Sequence, residues 1–91
     1  MISLEEFELE IRSEGYDEVV IRKWEPNDLA PPHQHPFAAK LLICEGEMWI
    51  TVGDTTRHLQ AGDRYELPSG QLHSERYGPA GAIYWAARKN P

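Results

Sequence analysis

Gly62-Asp63-Arg64-Tyr65-Glu66-Leu67-Pro68-Ser69-Gly70-Gln71-Leu72-His73 is the stretch on which the fold turns. Its Gly-Asp opening and its Pro-Ser-Gly centre are turn chemistry, because glycine reaches backbone angles closed to other residues and proline stiffens the bend. Tyr65-Glu66-Leu67 between them is a brief strand, and the stretch ends in a histidine. Upstream stands Pro32-His33-Gln34-His35-Pro36. Side chains two apart on an extended chain project to the same side, so His33 and His35 face together. His73, on a later strand of the same sheet, can meet them. Three imidazoles converging inside a barrel make a transition-metal site.

Outward from these motifs the chain alternates short apolar runs with turn signals. Asp17 to Trp24 is rich in Val and Ile and reads as a strand, followed by the turn Glu25-Pro26-Asn27-Asp28. Pro31 and Pro32 exclude helix just before the histidine pair. Lys40 to Cys44 is an apolar run that Glu45-Gly46 bends into Met48 to Val52, with the Gly53-Asp54 turn next. Thr55 to Leu59 returns. Leu72 to Tyr77 and Ala82 to Ala87 read as the last two strands, parted by Gly78-Pro79. Turn signals every seven to ten residues with almost no helix between them predict an all-β fold, a small barrel or sandwich of antiparallel strands.

The exception is the beginning. Ser3-Leu4-Glu5-Glu6 is a capping box, Leu4, Phe7 and Ile11 fall at helical spacing, and Gly15 closes the element. The spacing predicts a short N-terminal helix over 4–14, within residues 1–16, lying on the outside of a β-barrel over 17–89. At 91 residues the whole is expected to be a single domain. Residues 1–18 carry seven acids against one base, and the remaining 73 residues carry eight of each, so the net charge of −6 belongs to this helix. A solvated helix face accounts for the run, with a partner surface as the functional counterpart. A neutral barrel without a basic stripe excludes phosphate-neutralising nucleic-acid binding.

No apolar run approaches the ~20 residues of a bilayer span, and no leader-like segment opens the chain, so no membrane contact is expected. Cys44 is the only cysteine and suits a reducing compartment, giving a cytoplasmic protein as the expectation. A domain this small buries only about 60% of its unfolded surface, which makes a homodimer the expected assembly. His58 and the three tryptophans are read as surface and as core or dimer contact, respectively, and Cys44 as a small core residue.

Taken together the motifs resemble the cupin superfamily. Gly62, Pro68, Gly70 and His73 fit the spacing of its second motif, and His33, His35 and Gly46 fit its first. The resemblance implies a jelly-roll barrel, the double-stranded β-helix, with a divalent transition metal (Zn, Fe, Ni or Mn) held in its mouth by His33, His35 and His73. The family's glutamate has no counterpart. Its position falls on Lys40, or with one residue fewer on Ala39, and Tyr77 stands where an asparagine often follows.

Glu75 is the candidate for the missing carboxylate. It lies two residues beyond His73 and so shares its face. Two arrangements follow. In one, the three histidines bind a metal and Glu75 serves as a fourth ligand or as the catalytic proton carrier of an enzyme acting on a small organic molecule, of dioxygenase, isomerase or lyase type. In the other, Lys40 pairs with Glu75 in a metal-free pocket, and the protein is a small-ligand-binding or sensor module without chemistry.

Overall fold

The computed structural model describes residues 1–91 as one helix and six strands: α1 (Leu4–Ser13), β1 (Glu18–Trp24), β2 (Leu29–His33), β3 (Ala38–Val52), β4 (Thr55–Gln60), β5 (Arg64–Leu67) and β6 (His73–Lys89). All strand pairs are antiparallel. The expected all-β barrel with a short N-terminal helix is the observed architecture. No helix is long and apolar enough to cross a membrane.

Two long strands organise it. The runs 40–44 and 48–52 are one strand, β3, and the runs 72–77 and 82–87 are one strand, β6, so the turn expected at Gly78-Pro79 is instead a corner within a strand. The register shows why. Met48 pairs with Tyr77 and Gly46 with Ala82, leaving four residues of β6 opposite one of β3. Extra residues on one strand bend a ladder sharply. Each long strand therefore contributes to two half-sheets. The first halves of β3 and the second half of β6 pair with β5 and β1, and the other halves pair with β4 and β2. The half-sheets face each other across the barrel interior.

Alternation sorts the side chains. Ala39, Leu41 and Ile43 of β3 face inward, with Met48, Ile50, Leu67, Tyr77 and Tyr84 in the same core. The intervening Leu42, with Ala87 of β6, faces out and meets Phe7 and Ile11 of α1. Ser3 and Glu6 form the expected capping box. At the other end Gly15 N–H donates to the Arg12 carbonyl and Tyr16 N–H to the Ile11 carbonyl, a Schellman closure with Gly15 at φ +87°.

Ion pairs fasten this helix to the barrel. Lys40 Nζ lies 2.8 Å from Glu14 Oε1 and 3.2 Å from Glu10 Oε2, and Arg64 also pairs with Glu10. The acidic run is thus more than a solvated face. Arg64 and Lys40 hold the Glu10 carboxyl below the ordinary value of 4.5. A depressed carboxylate contributes stability above 4.5 that is lost as pH falls through its folded-state value. Helix docking should therefore loosen below pH 4.5, monitored by the fluorescence of Trp85, whose ring lies 5.6 Å from that of Phe7. Glu10→Gln should flatten that acid limb and remove about 0.5 kcal/mol of stability at neutral pH, the scale of a partly exposed pair.

Candidate metal centre

β2 ends at His33, whose register partner across the ladder is His73, the first residue of β6. Pro31 and Pro32 are tolerated because β2 is an edge strand, where missing N–H donors interrupt no ladder. His35 follows in the connection to β3, and its carbonyl accepts a hydrogen bond of 2.8 Å from Gly70 N–H, which ties the two sequence motifs together. The three rings gather with centroids 4.2 to 5.3 Å apart. One ligand nitrogen from each lies within 4.8 Å of the others, close enough to bind a metal.

Backbone carbonyls set the tautomers. His33 Nδ1 is 2.7 Å from the Pro31 carbonyl and His73 Nδ1 is 2.8 Å from that of Gln71. A carbonyl only accepts, so each Nδ1 carries the hydrogen, and in the neutral ring that tautomer leaves the lone pair on Nε2. This is how metal-binding imidazoles are commonly oriented. His73 Nε2 is buried and has no hydrogen-bond partner in the protein. An orphaned buried acceptor is unfavourable by itself and fits a site completed by a cation. Burial, then the neighbouring His33 and His73 and the Arg88 and Arg22 guanidiniums, holds His35 below its ordinary value, which favours the neutral, ligating imidazole.

Glu75 joins the group as its face-sharing with His73 predicts. It is 7% exposed. Its oxygens lie 3.9 Å from His33 Nε2 and 3.8 Å from His73 Nε2. Those separations exceed hydrogen bonds but approach the ~3.4 Å between neighbouring ligands of one tetrahedral ion with bonds of about 2.1 Å. Tyr77 and Tyr84 adjoin the carboxylate, and burial pushes both hydroxyls up from their ordinary value, that of Tyr77 far up, so they remain protonated beside it.

The pairing of Lys40 with Glu75 does not occur. Lys40 lies on the outer face of β3 and is held by Glu10 and Glu14 of α1. The inward residue is Ala39, which lines the same cavity as the histidines. Counting along the motif left both positions open, and the register decides for the alanine. Cys44, read from the sequence as a small core residue, belongs to neither core cluster. It is half-buried next to the irregularity between Ile43 and Glu45, and burial raises its thiol above the ordinary value. His58 is exposed as expected, stacked on Trp49 and 2.9 Å from Glu47.

A cavity of about 330 Å³ opens in front of the histidines. Trp24, Phe37 and Tyr84 form apolar walls, with Trp24 stacked on Tyr77 and donating to the Tyr84 hydroxyl at 3.3 Å. Arg22 and Arg88 also line it. Neither arginine stands near a recognisable motif. The available signal was parity: Arg22 alternates with Trp24 on β1, and Arg88 with Tyr84 and Ala86 on β6.

Fold and site together define a small antiparallel β-barrel with a three-histidine cup. Residues 20–77 match the family model described as the cupin domain, and the chain belongs to that family. Among known proteins it is similar to a probable germin-like protein, subfamily 2 member 5, of Arabidopsis thaliana. The two are 32% identical over 57 residues, 56% of this chain and 27% of that one. The chain thus spans about a quarter of the length of that curated relative. Among solved structures, an RmlC-like cupin from Shewanella frigidimarina superposes with a TM-score of 0.73 at 21% identity, covering 85% of this chain and 68% of the other. A double-stranded β-helix domain protein from Klebsiella pneumoniae gives 0.70 at 26% identity, over 82% and 68%.

Proposed function

We propose that the protein binds one divalent transition metal through Nε2 of His33, His35 and His73, with Glu75 closing the fourth side, and acts as a metal-dependent enzyme on a small organic molecule. The supporting observation is the unpartnered, buried Nε2 of His73 beside two further imidazoles and a carboxylate. When bound, such an ion would supply Lewis-acid polarisation or, as iron, oxygen chemistry.

The chain's own residues do the rest. Pro31 and Gln71 carbonyls orient two imidazoles. Trp24, Phe37 and Tyr84 exclude water from the inner wall. Glu75 stands where it can take up or deliver a proton at its carboxylate oxygens, beside the cavity. Because Ala39 leaves the usual carboxylate position empty of charge, Glu75 is the only carboxylate lining this cavity. The Lys40–Glu75 pair proposed for a metal-free pocket does not form, since Lys40 is outside the pocket and held by Glu10 and Glu14.

Protein stripped with a chelator and titrated with Zn, Fe(II), Ni or Mn should take up one equivalent per chain. At a hundredfold excess over Kd the bound state gains about 2.7 kcal/mol, raising Tm by roughly 10 °C or more in a domain of this size. No uptake of any of the four ions, by elemental analysis after gel filtration, would sink the reading.

A further inference from the structure

Two guanidiniums stand at the cavity with most of their hydrogen-bonding capacity unused. Arg22 lines it, and its guanidinium makes no ion pair or hydrogen bond with the protein. Arg88 makes only a 3.6 Å ion pair with Glu18, and its Nε–H is buried without an acceptor. Their planes are steadied by aromatic rings rather than by acids. Arg22 lies 5.3 Å from the Trp24 ring centre, and Arg88 lies 4.6 Å from that of Phe37.

Register explains the arrangement. Arg22 pairs with Tyr84 and Glu18 with Arg88 across the β1–β6 ladder. The two arginines therefore flank the cavity from positions four residues apart, about 13 Å along the strands. Long side chains span much of that distance. Glu75 is the only acid lining the cavity, against two guanidiniums, so the cavity carries a net positive charge before any cation enters. Guanidinium is the residue of choice for planar oxyanions, binding them with two parallel hydrogen bonds.

We propose that Arg22 and Arg88 form an oxyanion-binding rim above the histidine cup, so that the molecule held there is a small organic acid. Its carboxylate is seated on the guanidiniums, its body lies against Trp24, Phe37 and Tyr84, and its other end faces Nε2 of His33, His35 and His73. The cavity volume is at the lower end of ligand pockets, which limits the acid to a small one. The rim stands on its own geometry. Only the placing of the reacting end rests on the metal reading above. The aromatic walls favour a carboxylate on an apolar body over bare inorganic phosphate, which has nothing to set against them.

Calorimetry tests this on the full chain, once metal-free in chelator and once loaded with Zn. The probes are benzoate and succinate, their neutral amides benzamide and succinamide, and inorganic phosphate. At least one carboxylate should bind both forms at least tenfold more tightly than its amide and than phosphate. Arg22→Gln should weaken that carboxylate at least tenfold and leave the amide unchanged, with Arg22→Lys in between because it keeps the charge but loses the fork. Arg22 is exposed and unpaired, so its variants should keep the wild-type Tm. Arg88→Gln provides the second variant.

Equal affinity for acids and amides, or for phosphate and carboxylates, would overturn the proposal, as would an undiminished acid affinity in both glutamine variants. Metal uptake is read separately by elemental analysis. Metal uptake without carboxylate preference overturns the rim alone, and carboxylate preference with no uptake of Zn, Fe(II), Ni or Mn overturns the metal centre alone.

Discussion

His73→Ala should lower metal affinity by at least 100-fold and abolish the thermal stabilisation by added Zn, while the barrel stays folded. His73 is 3% exposed, and its Nε2 has no acceptor or donor within the protein. Its Nδ1–H is committed to the Gln71 carbonyl, 2.8 Å away. Removing a group that merely orients a ligand reduces affinity 10–100-fold, so losing the ligand itself should exceed that. The truncation leaves a small cavity and one carbonyl without a donor. That costs about 2 kcal/mol in the metal-free protein, which a separate melt would measure. His58→Ala is the control, because His58 is exposed, stacked on Trp49 and remote from the cup. If His73→Ala binds Zn as tightly as His58→Ala does, the three-histidine centre is wrong.

Gly46→Ala should be the most damaging single methyl group in the molecule. A Cβ at Gly46 would lie 2.0 Å from the Gly81 carbonyl oxygen and 2.9 Å from Ala82 Cα. Both are backbone atoms, so no rotamer change relieves the clash. The residue also sits at φ +74°, in the left-handed region that side chains resist. Together these effects should cost about 3 kcal/mol or more, a fall in Tm of roughly 12 °C or more for a domain of this size. Gly53 is also left-handed, at φ +60°, but nothing lies within 4 Å of its added Cβ. Gly53→Ala should therefore lose only about 1 kcal/mol. Thermal melts of the two variants separate close approach from backbone strain, and equal losses would show that the corner is not packed as described. The corner matters beyond stability, since it sets the two half-sheets against each other.

Much of this was legible along the chain. The capping box and Gly15 mark the helix within a residue or so of its ends. Local glycine and proline signals mark the turns between strands, and the histidine spacing announces the cup. Two strand boundaries were not legible. Glu45-Gly46 and Gly78-Pro79 look like turns because glycine and proline punctuate both loops and bulges. Only the pairing of Met48 with Tyr77 and of Gly46 with Ala82 shows that the chain continues through as bent strands.

By itself the sequence determined what depends on neighbours in the chain. His33 and His35 project together, Glu75 follows His73 to the same side, and Phe7 and Ile11 share a helix face. Tertiary structure alone decided which side of each strand became the interior. A period of two relates alternate residues but leaves the absolute face open, and a shift of one position exchanges all of them. That single choice put Ala39 rather than Lys40 into the pocket, sent the lysine to Glu10 and Glu14, and brought Arg22 and Arg88 from opposite ends of the chain to one cavity.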